Sequence, residues 1–170
     1  PSLGRRIAQV VECGSEDDPL VVVNTHLEVH GGELGRLAQW DQIKSYVTGH
    51  HPVDRLVICG DFNTSNHGIA RILPESIAPG NRSDFWTKIK KRLGEDAAQM
   101  WQRTEFDKSR FEDPLSAKAS THSAAGRQSG KLDWVLIDNN TLESTENHLG
   151  PKGLSDHRAR FVKVKNKKEV

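Results

Sequence analysis

A layered α/β domain is the fold class this sequence predicts, and three patterns carry the prediction. Apolar, β-branched runs of strand length recur along the chain, two stretches show apolar residues every three or four positions, and prolines punctuate the segments between. Residues 6–12 form the first expected strand. The second covers 20–26, where Leu20-Val21-Val22-Val23 is apolar at consecutive positions, the mark of a strand covered on both faces. Leu34, Leu37, Trp40, Ile43 and Val47 then make the stripe of an amphipathic helix. A third strand follows at 55–60, again continuous through Leu56-Val57-Ile58-Cys59. Phe85, Ile89, Leu93, Ala97 and Trp101 repeat every four residues, with Lys88, Lys90, Lys91 and Arg92 between them, giving a second helix with a solvated basic face. A mobile loop is expected over about 104–131, because 116–131 holds small residues, three positive charges and no negative one. Strands at 132–137 and 159–165 complete the set, and the tail from Arg158 carries six Lys/Arg against Glu169 alone.

Composition narrows the function classes. A chain of 170 residues with 35% hydrophobic and 28% charged content suits one globular domain, 1–170, with a real core. Lys+Arg total 24 against 23 Asp+Glu, so the net charge of +1 excludes a polybasic nucleic-acid binder of the histone kind. A local basic patch stays compatible with it. Two cysteines cannot make a disulfide framework, and Cys13 and Cys59, both in apolar runs, read as buried free thiols. No stretch approaches the roughly 20 apolar residues of a membrane span. The chain opens at Pro1 without a charged-then-apolar signal pattern, which suggests a processed or cut chain and assigns no compartment.

Four places share one feature, an apolar strand meeting acidic, amide or imidazole groups. They are Asn24-Thr25-His26-Leu27-Glu28, Gly60-Asp61-Phe62-Asn63, Lys131-Leu132-Asp133-Trp134 and Ser155-Asp156-His157. Strand side chains alternate faces, so Asn24 and His26 point one way together, as do Asp61 and Asn63. Charges at the rim of a buried sheet are costly unless they pair or bind something, and ligands of α/β sheets bind at strand ends. Each piece alone has a plain structural reading, as a hydrogen-bonded histidine, a turn residue, a salt-bridge partner or a cap.

In this order the four motifs resemble those of the endonuclease/exonuclease/phosphatase superfamily, which has the deoxyribonuclease-I-like fold. Its members show an N-x-H-L strand, a G-D-x-N strand end, a D-containing strand and a terminal S-D-H; here these are Asn24 to Leu27, Gly60 to Asn63, Leu132 to Trp134 and Ser155 to His157. The resemblance spans residues 5 to 165 and implies a four-layer αββα sandwich. It also implies an N-terminal half with a strand ending in Gln-Glu, the glutamate being the main Mg²⁺ ligand. No such strand precedes Asn24, so the chain reads as the C-terminal half to two-thirds of such a domain. Three expectations follow: a partner chain or the N-terminal half completes the sandwich, an uncompleted chain exposes a large apolar face, and Mg²⁺ binds weakly without the glutamate.

What the resemblance implies for chemistry is a metal-dependent phosphoester hydrolase, most closely a phosphodiesterase or nuclease using in-line attack by water. His157 would be the proton acceptor and Asp133 its orienting partner. Asp61 would position the water, Asn63 would donate to a phosphate oxygen, and His26 would donate to the phosphate or leaving oxygen from the opposite side. Asn24 joins His26 and Asn63 as a phosphate-binding group. Asp156, Asn63 and Asp61 would hold Mg²⁺, with Mn²⁺ as an alternative ion. Nucleic acid or a nucleotide is the favoured substrate class, ahead of a phospholipid-type phosphodiester. A non-catalytic binding module that keeps the fold is the alternative of another class. Structural zinc finds no C-x-x-C spacing to complete a ligand set, and His67 and His122 read as surface histidines in polar loops.

Overall fold

The computed structural model describes residues 6–28, 32–63, 110–115, 119–124 and 127–167. The expected helix over 85–101, with its basic residues, and His67 lie outside the described residues, as does the tail beyond residue 167.

Strands β1 (Ala8–Ser15) and β2 (Asp18–His26) form an antiparallel hairpin closed at Ser15↔Asp18. Helix α1 (Gly32–His50) follows and returns the chain to β3 (Leu56–Asp61), which runs parallel to β2. A helical crossover is what a parallel pair requires. The helix ends where the His50 Nδ1–H donates to the Tyr46 carbonyl at 2.8 Å, just before Pro52. Strand β4 (Phe111–Glu112) pairs with β7 (Asp133–Asp138), and β7 lies antiparallel to β3. The sheet order is β1-β2-β3-β7-β4. Two further hairpins stand apart from this sheet, β5 (His122–Ala124) with β6 (Arg127–Gly130) and β8 (Leu142–Leu149) with β9 (Arg160–Asn166).

Side-chain alternation in the three central strands sorts two cores. Val21, Val23, Leu56, Ile58, Trp134 and Leu136 point to one face and pack with Trp40 and Val47 of α1. The alternate residues, Leu20, Val22, Val57, Val135 and Ile137, point to the other and pack with Leu142 and Val164 of β8 and β9. The sheet is therefore covered on both sides, by a helix and by a hairpin, as the continuous apolar runs require. Ile43 packs against the helix-side core, whereas the Leu34 and Leu37 side chains lie outside the described residues.

Three sequence expectations differ from the structure. Cys13 is exposed, because it sits on the edge strand β1, whose residues are nearly all exposed; Cys59 is half-buried, and both thiols are free. Burial raises the Cys59 pKa, partly offset by the positive charge of Arg160. The stretch 104–131, expected to be loop, contains β4, β5 and β6 and two fully buried residues, Thr121 and Lys131. Strand β8 is an additional strand without a sequence signal, because its polar sequence Leu-Glu-Ser-Thr-Glu-Asn-His-Leu has no apolar run.

Candidate active site

Register assembles the first half of the site. In the parallel β2–β3 ladder Thr25 lies opposite Gly60 and His26 opposite Asp61, and in the β3–β7 ladder Asp61 lies opposite Asp133. His26, Asp61 and Asp133 thus stand in one row across three adjacent strands, where directly opposed residues lie about 5 Å apart. The row falls at the C-terminal ends of the parallel strands, where β7 begins. It continues beyond the strands through Leu27 N–H to the Asp61 carbonyl and Phe62 N–H to the Leu132 carbonyl, both 2.9 Å.

Gly60 makes the row possible. It has φ of +134°, and a Cβ built there would fall 1.8 Å from the Thr25 carbonyl oxygen. Only glycine fits a backbone this close to its neighbour. Asn63 turns the chain away with φ of +47°, a conformation asparagine tolerates better than most residues. Its backbone N–H donates to Asp61 Oδ1 at 2.8 Å and its Nδ2 to the Leu27 carbonyl at 2.8 Å. Those bonds leave the Asn63 amide oxygen as its end for a cation and one N–H for an acceptor.

The second half is the bend before β9. His157 Nδ1–H donates to Asp133 Oδ2 at 2.9 Å, with Oδ1 at 3.1 Å. A carboxylate only accepts, so Nδ1 carries the proton and Nε2 the lone pair. Nε2 lies 3.8 Å from Asp61 Oδ2, and His26 Nε2 lies 3.6 Å from the same oxygen. Both separations are too long for direct hydrogen bonds and too short for an oxygen to stand between the atoms, so the three polar atoms form a cluster that an oxygen can meet only from its open side. Burial lowers the His157 pKa, but the Asp133 hydrogen bond and the charges of Asp133, Asp61 and Asp156 outweigh it, so the net direction is above the ordinary 6.5. Asp156 is exposed, and its pKa is lowered by the 2.9 Å Ser155 hydroxyl bond and by His157 and His122. Asn24 is exposed on the same face of β2 as His26 and lies beside Cys59, whose Sγ is 4.0 Å from its Oδ1.

Behind Asp133 sits a buried charge cluster that the sequence did not announce. Lys131 is fully buried, its ammonium 3.0 Å from Asp113 Oδ2, 2.7 Å from the Leu115 carbonyl and 4.0 Å from the centre of the Trp134 ring. Arg160 clamps Asp113 with two bonds of 2.8 and 2.9 Å. Asp113 also accepts the Val135 N–H at 3.0 Å, and Arg160 donates to the Asp133 carbonyl at 3.3 Å. The buried Thr121 hydroxyl oxygen accepts the N–H groups of Leu132 and Asp133 at 2.9 and 3.0 Å. Asp133 is therefore held from both ends of its backbone. The only sequence signal was Lys131 beside Asp133; the pairing of Asp113 with Arg160 spans 47 positions.

His122, read from the sequence as a surface histidine, joins the site. It bridges His157 in an isolated antiparallel pair, its ring centre 4.6 Å from the His157 ring and its Nε2 3.9 Å from Asp156 Oδ2. Among the described residues, two groups of potential ligand atoms converge within 4.8 Å: Asp61 with Asp133 and His157, and His122 with Asp156 and His157.

No family model matches the sequence, and no curated protein matches it. Solved structures do match in fold. An endonuclease/exonuclease/phosphatase from Bacteroides vulgatus superposes with a TM-score of 0.57 at 16% identity, over 95% of this chain and 56% of that one. The Danio rerio TDP2 structure with a single-strand DNA product gives 0.51 at 15%, over 94% of this chain and 62% of that one. A Bacteroides thetaiotaomicron mannosyl-6-phosphatase gives 0.51 at 14%, over 94% and 57%. The chain has the deoxyribonuclease-I-like fold of these proteins and spans somewhat more than half of their length.

Proposed function

We propose that this chain carries the strand-end half of a metal-dependent phosphoester hydrolase that cleaves phosphodiesters by in-line attack of water. One observation carries the reading: Asp133 fixes the His157 tautomer so that Nε2, bearing the lone pair, faces Asp61 Oδ2 across 3.8 Å. A water beside this pair, bonded to both atoms from the open side, would give its proton to His157 Nε2 while Asp61 aligns it toward phosphorus. The water–phosphorus bond forms as the bond to the leaving oxygen breaks. His26, on the other side of Asp61, donates to a phosphate oxygen where negative charge accumulates, and Asn63 Nδ2 donates its remaining N–H. Asn24 lines the approach from β2.

Asp61, the Asn63 amide oxygen and, from the neighbouring group with His122 and His157, Asp156 are hard oxygen donors of the kind Mg²⁺ or Mn²⁺ takes, and such ions keep several waters. Bound there, the ion supplies positive charge for the phosphate and the departing alkoxide. Nucleic acid or a nucleotide is the substrate class we favour, and a fold neighbour bound to a DNA product is compatible with it. A phospholipid-type diester is the second reading, favoured by Leu154, which is 84% exposed two residues before Asp156.

Hydrolysis of bis-p-nitrophenyl phosphate, by the protein at the full length its gene encodes, tests the reading. Activity should need Mg²⁺ or Mn²⁺, stop with EDTA, and be lost in Asp61→Ala and His157→Ala. Turnover indifferent to EDTA, or retained in either variant, defeats it. A single-stranded oligonucleotide set against phosphocholine-lipid vesicles then separates the two substrate classes.

A further inference from the structure

We propose that His122, Asp156 and His157 form a second kind of metal site, one that takes a borderline divalent ion such as Zn²⁺. Each contributes one ligand atom, and the three atoms lie within 4.8 Å of one another. A tetrahedral ion with bonds of about 2.0–2.1 Å holds its ligands roughly 3.3 Å apart. The 3.9 Å between His122 Nε2 and Asp156 Oδ2 closes with a small movement, which Asp156 can make because its side chain is exposed on a bend.

The backbone builds this group whether or not an ion is bound. Ser123 N–H donates to the Asp156 carbonyl and Arg158 N–H to the Thr121 carbonyl, each at 2.8 Å, so the β5–β6 hairpin is clamped to the bend. The Ser120 hydroxyl donates to the His122 carbonyl at 2.9 Å. Asp133 completes the arrangement from behind. A carboxylate accepting the Nδ1–H of a histidine turns its Nε2 outward as a ligand and raises its basicity, the usual support of a metal-bound imidazole. Two imidazoles with one carboxylate favour Zn²⁺, Co²⁺ or Ni²⁺ over Mg²⁺, which prefers oxygen donors. The exposed side of Asp156 leaves the fourth position to water.

The site shares Asp156 with the proposed Mg²⁺ site and occupies the His157 lone pair. An ion held there therefore blocks the hydrolase reaction, and this consequence alone rests on the proposed function. Binding does not.

The metal-stripped protein, titrated with CoCl₂, tests the binding directly. One Co²⁺ per chain should give the visible d–d absorption of a four-coordinate ion, displaced by one equivalent of Zn²⁺ and retained in the presence of one equivalent of Mg²⁺. His122→Ala and Asp156→Ala should each weaken binding at least tenfold, with unchanged far-UV circular dichroism. Asp156 is a solvent-exposed residue, so its variant remains informative if His122→Ala fails to fold. His51→Ala, which removes the remote histidine beside Glu12, should bind as before. Absence of the band, or a band of full strength in the Asp156 variant, overturns the site. Zn²⁺ inhibition equally strong in His122→Ala would overturn the blocking role while leaving the hydrolase reading untouched.

Discussion

A single carboxylate, Asp133, decides what His157 can do. Burial alone would lower the imidazole pKa, and the Asp133 hydrogen bond, aided by the charges of Asp133, Asp61 and Asp156, reverses that direction. Under the proposed mechanism the neutral form is the base, so kcat should rise with pH through a value above the ordinary 6.5. Asp133→Asn should move that rising limb to lower pH while reducing the plateau by about 10²–10⁴-fold. A pH–rate profile of both proteins checks the sign, and a limb that stays in place refutes the pairing argument. Lys131 shows the same logic inverted. Burial pushes its pKa down to about 8, with the Arg160 charge adding to the effect and the charge and hydrogen bond of Asp113 opposing it. Between about 8 and the ordinary 10.5 the folded chain binds fewer protons than the unfolded one, so folding stability should rise with pH there. Urea midpoints measured across that window should show the rise in the wild type and lose it in Lys131→Met. At neutral pH, Lys131→Met leaves Asp113 paired with Arg160 and should change stability by less than about 1 kcal/mol. Asp113→Ala strands two buried cations and should cost about 3–5 kcal/mol.

The elements were legible wherever a strand is apolar at consecutive positions, because such a strand must be covered on both faces. Residues 20–26, 55–60 and 132–137 became β2, β3 and β7, and the strand ends carrying His26, Asp61 and Asp133 followed from them. The fourth piece, His157 beside Asp133, is implied by family resemblance rather than by spacing, and no local pattern in the chain encodes a contact across 24 positions. Illegible elements have a physical reason in common. Strand β8 buries only Leu142 fully and pairs its polar residues across to β9, where Glu143–Lys165 and Glu146–Lys163 lie 3.0 and 2.8 Å apart. The short hairpin β5–β6 is fastened by backbone bonds to the bend before β9, and such bonds leave no trace in residue type. Gly60 is the most demanding element-scale position. Gly60→Ala places a methyl carbon against the Thr25 carbonyl where no flexible side chain can yield, so β2 and β3 must separate. Expected is a loss of more than about 3 kcal/mol, with collapse of the His26–Asp61 register, measurable by urea unfolding. An alanine variant within about 1 kcal/mol of wild type would show that the two strands do not approach this closely.

One sheet serves two cores, and that makes the described part of the molecule a single mechanical unit. Trp40 and Val47 cover the face formed by Val21, Val23 and Ile58, while Leu142 and Val164 cover the face formed by Val22, Val57 and Ile137. The two sets alternate residue by residue along the same three strands, so neither face can loosen without moving the backbone the other is built on. The site depends on this arrangement, since His26, Asp61 and Asp133 come from those strands and His157 from the connection between the two strands of the covering hairpin. Truncation on either side should therefore be felt on both. Leu142→Ala should cost about 2–5 kcal/mol and Trp40→Ala about 3–5, against less than about 0.5 for Val11→Ala on the exposed edge strand. Urea unfolding followed by far-UV circular dichroism and by tryptophan fluorescence should give one coincident transition in Leu142→Ala and in Val11→Ala, because Trp40 and Trp134, two of the four tryptophans, lie in the helix-side core and the ellipticity reports the whole backbone. If Leu142→Ala moved the ellipticity midpoint and left the fluorescence midpoint in place, the hairpin would unfold independently of the sheet, and His157 would be positioned by Asp133 and the β5 clamp without it.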